Sequence, residues 1–338
     1  MAVSFIDRSR SRVCRWTALV ALVATTAGCS RRSPTVLIGS LPYPGEVAIE
    51  GPNAYVTSFE PGVPLGASLY EVPLRGGPAR RLLRLAGLPI TASTVRASTV
   101  YFTEAGRGTV SALPVGAAAA RTLATGHREP WAIAVDATHV YYTTRGTEGH
   151  SDGTIVRVPI AGGPQQVVAP GLRAPTHIAL DETSVYASVL GTRAHDYRDG
   201  AVVKVPKAGG AALVLAAEQA AVSALAADGA SVFWAKAGRG AAAGEVVRVD
   251  RSGGAPVVLA SRERSPSGIA IGETSVYWTC SDGEIRKADK RGGEITTIAL
   301  GQQRPKSIAA GSSMVVWANQ GKAAGERDAP GALLLLAK

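Results

Sequence analysis

One pair of residues recurs along this chain at a spacing that leaves few folds open. A Val-Tyr pair or its equivalent appears at Ala54-Tyr55, Val100-Tyr101, Val140-Tyr141, Val185-Tyr186, Val232-Phe233, Val276-Tyr277 and Val315-Val316. The steps between second members are 46, 40, 45, 47, 44 and 39 residues. A period in the forties with strand-like content is the signature of a β-propeller.

Each unit follows the same internal order. An apolar run opens it, such as AIAV from Ala132, HIAL from His177, GIAI from Gly268 or SIAA from Ser307. A four-residue polar turn follows, such as DATH from Asp136 or DETS from Asp181. Asp and Ser suit these turns because their side chains bond the neighbouring backbone. The second run (VYYT, VYAS, VFWA, VYWT) is rich in β-branched and aromatic residues, and a third alternates as TIVRVP, AVVKVP or EVVRVD. Gly-Gly then recurs at Gly76-Gly77, Gly162-Gly163, Gly209-Gly210, Gly253-Gly254 and Gly292-Gly293, where positive φ lets a hairpin turn tightly. A fourth run (QQVVA, LVLA, PVVLA) closes the unit. Four antiparallel strands make one blade. Outside the N-terminal segment no stretch has clear helical periodicity, although an Ala-rich segment near Ala216 is ambiguous.

Seven units carry the first two strands. The last stops at GALLLLAK (Gly331 to Lys338), which matches a third strand, while PTVLIGS (Pro34 to Ser40) ahead of the first unit matches a fourth. The expected fold is all-β: a seven-bladed β-propeller over 34–338, closed by pairing of Thr35–Gly39 with Ala332–Ala337. Closure hides sheet edges that would otherwise recruit other chains. The stretch IAIGETSVYWT…GEIRKADKRGG resembles the Tyr-Trp-Thr-Asp and NHL-type propeller repeats, including those of exported bacterial lipoproteins. Tyr277, Trp278 and Thr279 match the first three motif positions, and Cys280 replaces the Asp. Many members of those families have six blades, the alternative to the seven counted here. The resemblance implies a fold and leaves the chemistry open.

The first 28 residues read as an export signal. Arg8, Arg10, Arg12 and Arg15 form a basic n-region, and WTALVALVATTAG (Trp16 to Gly28) is an apolar run too short to span a bilayer comfortably. Its end, TAGC (Thr26 to Cys29), resembles the lipobox of bacterial lipoproteins, with Thr26 where that family usually has Leu. The resemblance implies cleavage before Cys29, a lipidated (palmitate-bearing) Cys29 and a short tether over 29–33. Ser30 after the cysteine, rather than Asp, implies the outer membrane, on its periplasmic or outer side.

Removing residues 1–28 takes away four of 36 basic and one of 26 acidic residues and leaves +7. That charge is dispersed, with no basic run beyond pairs such as Arg31-Arg32, so no nucleic-acid partner is expected. Of three cysteines, Cys14 leaves with the signal and Cys29 would carry lipid, so Cys280 has no disulfide partner. It lies in an apolar strand pattern and reads as a small buried hydrophobe.

Turns between first and second strands, and between third and fourth, share one face and are short. The other face carries the loops between second and third strands and the links between blades. Those loops vary: SDG in the sixth unit, but TRGTEGHSDG in the third, VLGTRAHDYRDG in the fourth and NQGKAAGERDAPG in the seventh. Variable loops on a repetitive scaffold are where specificity can be built. His127, His150, His177 and His195 fall on this side with Trp131, Asp152, Asp196 and Tyr197, which makes these eight the candidate ligand-binding face above units three and four. Polar loops collect polar residues on any scaffold, and no His-x-x-x-His spacing occurs, so a metal stays open and no cofactor is implied. GHSDG (Gly149 to Gly153) fits the Gly-x-Ser-x-Gly elbow, which needs a strand-to-helix turn, but here it joins two strands. Asp136, Asp181 and Asp228 recur as turn caps. The expectation is a monomeric, lipid-anchored binding or scaffold module for a protein, glycan or small molecule. A propeller lyase or hydrolase using the His-rich loops is the alternative.

Overall fold

The computed structural model describes residues 33–61, 66–87, 89–147, 149–195, 197–238, 240, 242–321 and 330–338. Residues 1–28, expected from the sequence to be an export signal, lie outside them, as do Cys29 and Asp196. Among the described residues, seven four-stranded antiparallel sheets form, each with the strands in spatial order. The innermost strands are Pro44–Glu50, Ala92–Arg96, Pro130–Val135, Pro175–Leu180, Val222–Ala227, Gly268–Ile271 and Pro305–Ala310. Each packs against the inner strand of the next blade, and the seventh packs against the first, so the ring is closed. This is the seven-bladed propeller expected from the repeat. The Ala-rich segment near Ala216 ends a strand, Leu213–Ala216, and the helical turn described is the short 3₁₀ element Arg193–His195.

The recurrent pair lies on the second strand of every blade. Its first members, from Ala54 to Val315, are fully buried between adjacent blades. Tyr141, Tyr186 and Phe233, second members of the pair, are buried as well, and the inter-blade clusters are built from Val, Leu, Ile and Ala around them. A chain poor in aromatics thus fills its core with β-branched residues that fit the pleat.

The N-terminal strand Thr35–Leu41 is the outermost strand of blade 7 and pairs with Gly331–Ala337. Thr35 faces Leu335, Val36 faces Leu334 and Ile38 faces Leu333. Leu41 packs into a cluster with Val316, Leu333 and Val56, which joins blade 7 to blade 1.

Candidate functional site

Most inner strands open on a proline and then slip register. Between Pro130 and Ile133, for instance, the first strand has one more residue than its partner, and similar slips follow Pro44, Pro175, Val222 and Pro305. A bulge turns side chains out of the alternating pattern. A hydroxyl on the second strand satisfies the freed amide: Thr57 Oγ1 accepts from Glu46 N at 3.0 Å and Thr143 Oγ1 from Ala132 N at 3.0 Å. The same bond joins Thr103 to Ala92 and Thr279 to Gly268.

The residues at and beside these bulges line a cavity of about 500 Å³ along the ring axis, to which Glu46, Thr91, Trp131, His177, Ser223, Ser267 and Lys306 each contribute from a different blade. His177 Nδ1 lies 2.9 Å from Ser188 Oγ and 3.1 Å from Thr176 Oγ1. Burial, reinforced by the positive charge of Lys306, pushes its pKa down to about 4, so the ring is neutral at pH 7. Glu46 reaches the water of the channel but is walled by protein on every side. That desolvation raises its pKa, and Lys306 partly offsets the effect.

A second cavity, of about 320 Å³, opens between the loops of blades 3 and 4 and is lined by Arg128, Glu129, Arg145, Ala174, Leu190, Arg193, Tyr197 and three glycines. The Arg145 guanidinium sits 4.5 Å over the Trp131 ring, so this cavity adjoins the channel wall. Both loops are tied by a Gly-Thr…Asp-Gly clasp. Asp152 accepts from Thr147 N and Oγ1, both at 2.7 Å, and Asp199 accepts from Thr192 N at 2.7 Å and Oγ1 at 2.9 Å. These bonds hold both carboxyls below the usual range. A Cβ on Gly146 or Gly191 would strike the clasping carboxylate, and both have positive φ, so glycine is required there.

The eight sequence candidates divide accordingly. Trp131 and His177 line the channel, Tyr197 lines the loop cavity, and Asp152 closes its own loop. His150 and His195 are exposed on the loops; His195 Nδ1 lies 2.8 Å from Thr192 Oγ1. His127 caps the second strand of blade 3, with its Nε2 2.8 Å from the Tyr142 hydroxyl and the two rings edge-to-face at 5.1 Å. The described histidines therefore do not converge on one cavity, and no group of three metal-ligating side chains occurs among the described residues. Ser151 of the Gly-x-Ser-x-Gly match lies in a loop between strands His139–Thr144 and Gly153–Pro159, with no helix after it.

Sequence reasoning passed over Glu46, Arg128, Arg145, Arg193 and Lys306. Aligning the strand openings (PGE at Pro44, PWA at Pro130, PTH at Pro175, PSG at Pro266, PKS at Pro305) places Glu46 and Lys306 in the same columns as His177 and Trp131. On the opposite face a cavity of about 540 Å³ is lined by Asp136, Asp181 and Asp228, but their carboxylates are committed. Each accepts two backbone amides of its own turn, and Lys207 and Lys290 from the next blade reach Asp136 and Asp228 at 2.8 Å. Burial works against ionisation of Asp136, but the Lys207 ammonium and the turn amides outweigh it and hold the carboxyl well below the usual range.

No family model and no curated protein matches the chain. Among solved structures, a puromycin hydrolase mutant complexed with PGG is similar at 15% identity and a TM-score of 0.63, over 82% of this chain and 50% of that one. The chain thus spans half the hydrolase's length, and at this identity the likeness is one of fold. A nidogen/laminin complex is similar at 16% identity and a TM-score of 0.49, over 62% of this chain and 82% of that one.

Proposed function

We propose that this chain is a lipid-anchored β-propeller of the bacterial envelope, held by Cys29, that acts as a binding or scaffold module through the face carrying its variable loops and inter-blade links. The observation that carries the reading is the difference between the two faces. On the loop face, Trp131, His177 and Lys306 line an open channel, and Arg128, Arg145 and Arg193 line the cavity beside it. On the other face the recurring carboxylates are consumed by turn capping and by ion pairs between blades. Concave sites with a few convergent polar groups are where ligands bind. A lipid on Cys29 would tether the ring through the outer strand of blade 7, which starts at Thr35.

The test is cross-linked capture from membranes with the full-length protein. Replacing His150, His195 and Tyr197 together by Ala should reduce partner recovery and leave thermal stability nearly unchanged. Glu182→Lys with Ser252→Lys, on the opposite face, should leave recovery intact. The reverse pattern would place the working face on the other side. An unmodified Cys29 by mass spectrometry would remove the lipid anchor from the reading.

A further inference from the structure

We propose that the cavity between the loops of blades 3 and 4 is an oxyanion site, built to take a small ligand bearing a carboxylate or phosphate group on Arg128, Arg145 and Arg193. This rests on the loop face being the binding face and names the ligand chemistry that the face would take. Three guanidinium groups line about 320 Å³, and Glu129, 4.0 Å from Arg145 Nη1, is the one acid among the described residues lining it. The other carboxylates described on these two loops are occupied: Asp152 ties Thr147, and Asp199 ties Thr192 and pairs with Arg173 at 2.9 Å. Like charges gathered in a walled cavity repel one another, and a bound anion relieves that repulsion.

Arg145 carries the argument furthest. Its amide donates to the Glu129 carbonyl, and the same clasp is made by Phe59, Leu190, Ala237, Ser281 and Gln320 in other blades. The fold therefore asks only for an amide at this position, and blade 3 alone of these six places a charge there. The guanidinium is stacked on Trp131, and its Nε is buried with no hydrogen-bond partner among the described residues. A stacked guanidinium is a preoriented planar fork, suited to two parallel bonds to a carboxylate or phosphate. Gly146 and Gly191 at the rim bring backbone rather than side chains to the cavity edge.

The experiment is calorimetric titration of the full chain with sodium phosphate and, separately, sodium glucuronate, at constant ionic strength in a chloride background. Saturable binding of at least one is expected, weakened tenfold or more by Arg145→Gln and by Arg193→Gln and unchanged by Arg75→Gln, which alters an exposed turn elsewhere. Preference between the two titrants separates a phosphate ligand from a carboxylate one. Arg193 is exposed on its loop, so Arg193→Gln carries the test if Arg145→Gln does not fold. No saturable binding of either anion, or equal binding by Arg193→Gln and Arg75→Gln, overturns the oxyanion site. Loss of partner capture in the His150/His195/Tyr197 variant without anion binding would sink the site and spare the binding-module reading. Anion binding with capture indifferent to that variant would do the opposite.

Discussion

Glu263 is a buried carboxylate with three partners on one oxygen. It is 1% exposed, and its Oε2 accepts from Trp278 Nε1 at 2.8 Å, the Cys280 thiol at 3.1 Å and Arg286 Nη1 at 2.8 Å. Arg286 keeps Glu284 at 2.6 Å when Glu263 is removed, so the loss falls on the Trp278 indole and the Cys280 thiol, and Glu263→Ala should cost about 1–3 kcal/mol in urea unfolding. Glu263→Gln keeps an acceptor for the indole and should cost less. If the two variants unfold at the same urea concentration, the charge has no part in the network. Burial, reinforced by the Glu263 carboxylate, pushes the Cys280 thiol up, so it should react with a disulfide reagent only through opening of the fold. His177 works on pH. Its pKa falls from 6.5 in the unfolded chain to about 4 in the fold, so between those values the unfolded chain binds a proton that the native state refuses. Its stabilisation is complete above about pH 6.5 and is lost as pH falls toward 4, on the order of 2–3 kcal/mol for this one group. Urea unfolding at pH 4.5 and 7 should show a smaller pH difference for His177→Gln than for wild type. An unchanged difference would mean that the channel does not desolvate the ring.

At the scale of the element, one rule joins the blades. In six blades the fourth residue of the second strand meets the residue 15 earlier, at the link between blades. Trp234 Nε1 donates to Gln219, Trp278 to Glu263 and Trp317 to Gln302, while Tyr142 meets His127. Where the strand residue is Val56 or Ala187, the link residue is the buried Leu41 or Leu172. Polar thus meets polar and apolar meets apolar in the same column, which satisfies each buried indole. Gln302→Leu should strand the Trp317 indole and the Asn319 amide and cost about 1–3 kcal/mol, whereas Gln302→Glu should be far milder. Equal melting temperatures for the two would contradict the rule. The blade count, the strand order and the closing strand were legible in the sequence because each is a period that many residues restate. The site was less legible. Histidine is rare here and drew attention, yet His127 belongs to the capping column and its role follows from the blades around it. Lys306 and Arg145 looked like ordinary surface charges: only the register slip after Pro305 turns Lys306 to the channel, and only the fold brings Arg145, just past its strand, over Trp131.

At the scale of the whole molecule, the ring stands on one non-local pairing. Blade 7 takes its three inner strands from the C-terminal end of the chain and its outer strand from Thr35–Leu41. Every other blade is contiguous in sequence, so this is where the two ends are bound together. Leu41 is 1% exposed and packs among Val56, Val316 and Leu333, so it spans blades 7 and 1. Leu41→Ala should remove that contact and leave a cavity, at a cost of about 2–5 kcal/mol. Deleting Ala332 to Lys338 goes further: it takes away the strand on which Thr35, Val36 and Ile38 pair and exposes the edge of Met314–Asn319. Several kcal/mol of apolar burial go with it, at about 25 cal/mol per Å². Open edges recruit other chains, so the truncated protein should melt at a lower temperature and self-associate. Differential scanning calorimetry and sedimentation velocity read both effects. A truncated chain that melts with the full-length protein and stays monomeric would show that the ring holds without its closing strand.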